Sequence, residues 1–178
     1  MSSAEFSDLQ HPFVLRRLEP SDYSKGYLNL LEQLTVVGDI SEEDFTKSSF
    51  VSLCSMLGSS QSEGFGAAGD LHHVVVIEDI ERHVIVASAT LLVEPKLIRK
   101  CGKAGHIEDV VVDQTARGQH LGQRIVSHLT NLSKQLGCYK VILDCSEANA
   151  PFYGKCGFEL KGRQMARYFG EDPLSVGS

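Results

Sequence analysis

"IEDVVVDQTARGQHLGQRI", residues 107–125, decides how this chain is read. Its first half is an apolar, β-branched run that reads as a strand. Its second half is amphipathic and reads as the start of a helix. Between them lies a short loop carrying Gly118 and Gly122. A strand that feeds a helix this way presents unpaired backbone N–H groups and the positive end of the helix dipole, which favour an anion. Arg117 adds a fixed positive charge, and the glycines let backbone come close to a ligand. A pyrophosphate suits that chemistry better than a single carboxylate. The plainer alternative is a glycine-punctuated turn. The strand also carries two adjacent acids, Glu108 and Asp109. On a regular strand they face opposite sides. A β-bulge would re-aim one of them and free backbone N–H groups. The alternative leaves one acid in solvent and pairs the other with a lysine or arginine, because a buried carboxylate needs a partner.

Working outward, "GQHLGQRIVSHLTNLSKQLG" is the clearest helix of the chain. Leu121, Ile125, Leu129, Leu132 and Leu136 follow the 3.6-residue period, and Gly137 stands where a helix stops. Downstream, "YKVILDC" reads as a strand, "EANAPFYGKCG" as a short helix and "FELKGRQMARYF" as a terminal strand or hairpin. Upstream, "HHVVVIED" and "HVIVASATLLVE" are β-branched runs joined by a charged turn, an antiparallel hairpin. "KLIRKCGKAG" is a basic connector. "FVLRRL" (Phe13–Leu18) is a first strand. A helix follows it, with Pro20 near its start and Leu28, Leu31 and Leu34 at helical spacing. Ser41 is the N-cap expected for a second helix, with Asp44 three residues on. Residues 1–11 read as a flexible tail, 12–178 as a single domain, and Gly58–Asp70 as a Gly/Ser-rich loop. The order β-α-α-β-β-β-α-β-α-β is a mixed α/β layout.

Composition narrows the classes. The chain has 178 residues, enough for one sizeable core. A net charge of −6 argues against broad nucleic-acid binding but leaves room for a small basic pocket. The five cysteines, Cys54, Cys101, Cys138, Cys145 and Cys156, are scattered without C-x-x-C spacing. That predicts neither a zinc site nor a disulfide framework, and a reducing, cytoplasmic setting. The N-terminus has no basic-then-apolar pattern of a signal peptide. No apolar run approaches the roughly 18 residues of a membrane span.

Three further features carry chemistry. Tyr153, in "APFYGKCGF", could protonate a leaving group, or simply pack its ring on the core. Lys96, Arg99, Lys100, Lys103, Lys140, Arg163 and Arg167 form a basic set that would suit a phosphorylated substrate if they converge. The seven histidines show no metal-ligand spacing, and His106 is the hardest of them to set aside.

Together these pieces resemble the GNAT acetyltransferase superfamily, whose Arg/Gln-x-x-Gly-x-Gly/Ala motif reads Arg117-Gly118-Gln119-His120-Leu121-Gly122 here. "LTVVGDIS", "HIEDVVVD", "GCYKVILDCSEANAPFYGKCGF" and "MARYF" are similar, in order, to the glucosamine 6-phosphate N-acetyltransferase family within it. The likeness covers residues 13–169. It implies a GNAT fold, a mixed, mostly antiparallel central sheet flanked by helices. It implies acetyl transfer from acetyl-CoA to the 2-amino group of glucosamine 6-phosphate, on the route to UDP-N-acetylglucosamine, with no metal. It also implies a homodimer whose C-terminal strand completes the partner's site.

By resemblance, the cofactor falls to the backbone of Val110, Val111 and Val112, to Arg117, Gly118, Gln119, His120, Leu121 and Gly122, and to Asn149 and Tyr153. The sugar phosphate falls to Thr35, Lys96, Leu97, Ile98, Arg99, Glu108, Asp109, Tyr139, Lys140, Asp144 and Arg167. The catalytic roles fall to Glu108, Asp109, Asp144 and Tyr153. The expected chemistry is direct attack in a ternary complex. Glu108 or Asp109 takes the amine proton, a backbone N–H near Val110 holds the oxyanion, and Tyr153 protonates the thiolate. An acetyl-cysteine on Cys145 or Cys156 would require ping-pong kinetics. Two departures stand out. His120 replaces the motif's first glycine. Some relatives place the closing basic residue where this chain has Tyr168, and on a strand that shift changes the face.

Three rival readings follow. The chain could be a GNAT enzyme for another small amine or a protein amine, against which the basic connector argues. A CoA-binding module without activity is disfavoured by the intact Glu108, Asp109 and Tyr153. A generic nucleotide binder would need Gly-x-Gly-x-x-Gly or Walker spacing.

Overall fold

Five strands form one sheet in the order of the sequence: β1 (Phe13–Arg17), β2 (His72–Asp79), β3 (Val84–Pro95), β4 (Lys103–Val112) and β5 (Cys138–Ile142). The computed structural model describes residues 12–47 and 71–167. The expected tail, 1–11, and the Gly/Ser-rich loop lie outside those residues. β1 to β4 are antiparallel neighbours, and β5 joins β4 in parallel. That is the mixed, mostly antiparallel sheet that the resemblance implies. Two compact units, Met1–Leu143 and Asp144–Ser178, divide the chain. The sheet belongs to the first.

Helix α2 (Leu121–Gln135) crosses from β4 to β5 and covers one face of the sheet. Leu121, Ile125, Leu129 and Leu132 are buried, as their spacing predicts. Each contributes roughly 1.5–3 kcal/mol through burial. Close approach of α2 to β4 depends on Gly105, where a Cβ would lie 2.5 Å from Ser133 Oγ. Gly137, at φ 80°, ends the helix as read.

The other face carries Tyr27, Leu30, Phe45, Val76, Ile85 and Val111. The helix expected from Pro20 to Leu34 is in fact two pieces. A 3-10 turn over Pro20–Lys25 ends at Gly26 in the left-handed conformation, and α1 (Tyr27–Glu32) begins there. The swing places Leu30 in the core and leaves Leu34 exposed. A helical run over 42–47 starts as expected at Ser41, whose Oγ accepts from Asp44 N–H at 3.1 Å.

A charge network joins β1, the 3-10 turn and β2. Arg16 donates to both oxygens of Asp22, at 2.8 and 2.6 Å, and to Glu78 at 2.6 Å. Lys25 pairs with Glu78 at 2.9 Å. Asp22 is fully buried and Glu78 nearly so. Burial alone would raise the Glu78 carboxyl, but the bonds from Lys25 and Arg16 outweigh it and hold the group below its usual range.

In the second unit, α3 (Ala150–Lys155) is the short helix read from the sequence. The terminal strand expected over residues 158–169 is not found: 158–167 hold no regular structure, and 168–169 lie outside the described residues. A strand needs a ladder partner, and none of the described strands pairs with this segment. Leu160 and Met165 stand almost fully exposed there.

Candidate active site

β4 is bulged where its two acids lie. Thr90 pairs with Glu108 and Ser88 with Val111, so Ala89 alone faces Asp109 and Val110. Asp109 takes the extra turn in the left-handed region, at φ 53°. The bulge keeps Glu108 and Val111 on one face and sends the Asp109 side chain out to solvent. Beneath it lies the buried Tyr27, its hydroxyl 3.4 Å from Ser88 Oγ. Burial raises the pKa of that phenol, and the negative charges of Asp109 and Asp22 push the same way.

β4 also parts from β5. Their pairing stops at His106 and Ile142, so Ile107–Val112 has no strand partner on that edge among the described residues. A strand edge of this kind can pair with an extended ligand.

The strand runs into the glycine loop. Asp113 caps a short 3-10 turn, Gln114–Ala116. Its carboxyl lies below the usual range, chiefly because it accepts from the Thr115 hydroxyl, helped by Gln33. Gln33, at the end of α1, donates to Asp113 at 2.8 Å, and Gln114 N–H donates back to Gln33 at 3.0 Å. The loop is thus tied to the segment bearing Thr35. Sequence reasoning missed this clip because its partners stand 80 residues apart. Arg117 donates to the Val112 carbonyl at 3.4 Å. Gly118 has φ 84°, and His120 has φ 60° at the α2 N-cap, the conformation a glycine would hold at less cost. Leu121 and Gly122 are buried, while Gly118, Gln119 and His120 are exposed.

The basic connector forms a left-handed turn, Ile98–Cys101, in which Arg99, Lys100 and Cys101 all have φ between 56° and 58°. Such geometry costs L residues roughly 1–2 kcal/mol each. The Lys96 N–H donates to the Gly102 carbonyl at 2.8 Å and closes its base. The Arg99 guanidinium lies 5.7 Å from the Tyr139 ring centre and Lys140 Nζ 5.9 Å from it. The turn that follows Lys96 thus lies against Tyr139 and Lys140, with Leu97 and Ile98 exposed. Lys96 is engaged by Glu94, which also holds His106 Nε2 at 3.0 Å. These bonds, Lys96 first, lower the Glu94 carboxyl. His106 stands two residues before Glu108 on the same face, which gives that histidine a neighbourhood the sequence only hinted at.

In the second unit, Asp144 is exposed, and Asn149 opens α3 by accepting the Tyr153 N–H at 3.2 Å. Tyr153 is half-buried, edge-on to Phe152 at 4.9 Å and to Phe158 at 6.2 Å. Burial raises its hydroxyl, with smaller contributions from Cys145 and Cys156. Arg167 is exposed. Cys101, Cys138, Cys145 and Cys156 are free thiols. Among the described residues no cluster of metal-ligating side chains occurs, and no helix is long and apolar enough to cross a membrane.

Residues 39–158 match the model of the acetyltransferase (GNAT) family. The chain is 45% identical over 157 residues to a glucosamine 6-phosphate N-acetyltransferase of Arabidopsis thaliana, covering 88% of this chain and 97% of that one. It is 44% identical over 158 residues to glucosamine 6-phosphate N-acetyltransferase 1 of Dictyostelium discoideum, covering 89% and 92%. The crystal structure of glucosamine-6-phosphate N-acetyltransferase from Arabidopsis thaliana superposes with a TM-score of 0.81 at 43% identity, over 90% of this chain and 100% of that one.

Proposed function

The chain belongs to the acetyltransferase (GNAT) family, and from that footing we propose that it transfers the acetyl group of acetyl-CoA to the 2-amino group of D-glucosamine 6-phosphate. The products are N-acetyl-D-glucosamine 6-phosphate and CoA, and residues 12–178 act as one acetyltransferase domain. The observation that carries the reading is β4: a bulged strand with two acids, an open edge and an anion loop at its end. An acyl donor with a peptide-like arm and a pyrophosphate needs those three features in that order.

Within this reading the arm of acetyl-CoA pairs with the backbone of Val110, Val111 and Val112. The pyrophosphate rests on the amides from Gly118 to Gly122, beside Arg117. Glu108 and Asp109 serve the amine, which must lose a proton to attack. The thioester carbon accepts the amine nitrogen, the C–S bond breaks, and the thiolate takes a proton from Tyr153. Its raised pKa keeps that phenol protonated at neutral pH, as a general acid requires. Alignment of both substrates supplies up to about 7–11 kcal/mol of barrier lowering. Thr35, Lys96, Leu97, Ile98, Arg99, Tyr139, Lys140 and Asp144 serve the sugar and its phosphate, and Asn149 the cofactor. The active form is a cytoplasmic homodimer in which Arg167 of one chain reaches the partner's phosphate. That none of the described strands pairs with residues 158–167 supports that arrangement.

The test is release of CoA from acetyl-CoA with glucosamine 6-phosphate, unphosphorylated glucosamine or a lysine peptide as acceptor. Turnover should be strong with the first and weak with the others. A preference for the peptide, or equal rates with both sugars, would sink the reading.

A further inference from the structure

In the connector between β3 and β4 the left-handed region is held by three residues in succession, Arg99, Lys100 and Cys101, none of which adopts it readily, while the one glycine, Gly102, does not use it. The Arg99 guanidinium of the turn lies 5.7 Å from the Tyr139 ring centre on β5, and Gly102 sits between the turn and that ring. The backbone of Gly102 is ordinary, φ −71° and ψ 172°, so any residue could adopt it. Only space is lacking. A Cβ there would stand 3.1 Å from the Arg99 carbonyl oxygen, 3.2 Å from Tyr139 Cδ1 and 3.3 Å from Arg99 Cβ. The same residue closes the turn through two backbone bonds, from Lys96 N–H to its carbonyl at 2.8 Å and from its N–H to the Ile98 carbonyl at 3.2 Å. The turn therefore has one strained shape when it lies against the ring, and the Arg99 guanidinium over Tyr139 is fixed by that shape.

We infer that Gly102 is a positioning residue: its missing side chain lets the strained turn Arg99–Cys101 seat on Tyr139, and that seating presents the Arg99 guanidinium to the anionic end of the acceptor. The inference rests on the reading that the acceptor is a phosphorylated amino sugar. Gly102 meets no reacting atom. Its effect runs through Arg99, so it should touch the binding of one substrate and leave the chemical step alone.

The first variant is Gly102→Ala. KM for glucosamine 6-phosphate should rise about tenfold, while kcat and KM for acetyl-CoA stay within about twofold of wild type. A KM for the sugar phosphate within twofold of wild type would overturn the inference, as would parallel rises for both substrates. Should Gly102→Ala not fold, a pair of substitutions at the exposed Lys100 decides the matter. Lys100→Gly and Lys100→Val delete the same charge, but only glycine tolerates φ 58°. Lys100→Val should therefore show a KM for the sugar phosphate about tenfold above that of Lys100→Gly. Equal values for the pair would overturn the inference. Failure of the wild-type protein to turn over glucosamine 6-phosphate at all would strike the functional reading instead, so the two failures can be told apart.

Discussion

The two edges of the sheet solve opposite problems. At β1 and β2, Arg16, Asp22, Lys25 and Glu78 bury their charges among one another, with short bonds on every side. At β3, β4 and the loop that follows, backbone is held in costly shapes. Of the six non-glycine residues with positive φ among the described residues, five fall between Arg99 and His120. Residues in such conformations persist where surrounding structure over-determines them, and they gather where a ligand must be met by preset groups. One edge thus stabilises the fold and the other shapes a site. If that division is right, substitutions at the first edge should change stability and spare turnover, and those at the second should do the reverse.

The largest effect belongs to the acids on the bulge. Glu108→Gln should lower kcat by about 10²–10⁴, the usual range for losing a general base. Its urea midpoint should stay at the wild-type value. Asp109→Asn, at an exposed position, should act mainly on KM for the sugar. A larger kcat loss in Asp109→Asn would transfer the base to that residue. A large drop in midpoint for either would break the division itself.

Arg16→Met tests the other edge. It leaves Asp22 and Glu78 buried with Lys25 as the remaining cation of the network, and removal of one partner from such a network costs about 3–5 kcal/mol. Turnover at a temperature where the variant is folded should match wild type. The advantage of wild type should also depend on pH. Glu78 has a lowered folded value, so its contribution is full above the ordinary carboxylate range and is lost as pH falls through that lowered value. Denaturation in urea at neutral and acid pH measures both. An unchanged gap between wild type and variant across that range would mean that Glu78 adds nothing.

The same division explains what was legible in the sequence. β4 and α2 could be read because periods of 2 and 3.6 residues mark buried faces directly. The bulge was foreseeable because two adjacent acids inside an apolar strand cannot both face water on a regular ladder. Other features are set by distant partners and carry no local signal. The left-handed turn lies in "LIRKC", which has neither glycine nor asparagine, and the ring it lies against, Tyr139, stands some forty residues on. The Arg16–Glu78 bond spans 62 residues and exists only because β1 pairs with β2 in one register. The break at Gly26 was in view as a glycine, but an isolated glycine is also tolerated inside a helix, so its left-handed turn had to be seen. "FELKGRQMARYF" reads as a strand or hairpin, while strand formation also needs a neighbour, and none of the described strands pairs with residues 158–167.

The smallest effect is the most pointed, since it separates strain from function at one residue. His120 holds φ 60° and ψ 14° where the family motif has a glycine. Its ring is occupied locally, with Nδ1 3.0 Å from Gln123 Oε1, and does not cap α2. His120→Gly removes a left-handed penalty of roughly 1 kcal/mol. It also gives the unfolded chain more freedom, which costs about 0.4–1 kcal/mol. The two nearly cancel, so the urea midpoint should hardly move. CoA affinity should stay within about twofold, because in the proposed site amides form the cradle and glycine keeps them. His120→Val retains the amide but cannot take positive φ without severe crowding, so it should weaken CoA binding and lower stability together. A tenfold loss of CoA affinity in His120→Gly would show that the imidazole itself touches the cofactor. The rim would then work through side chains as well as through backbone shape.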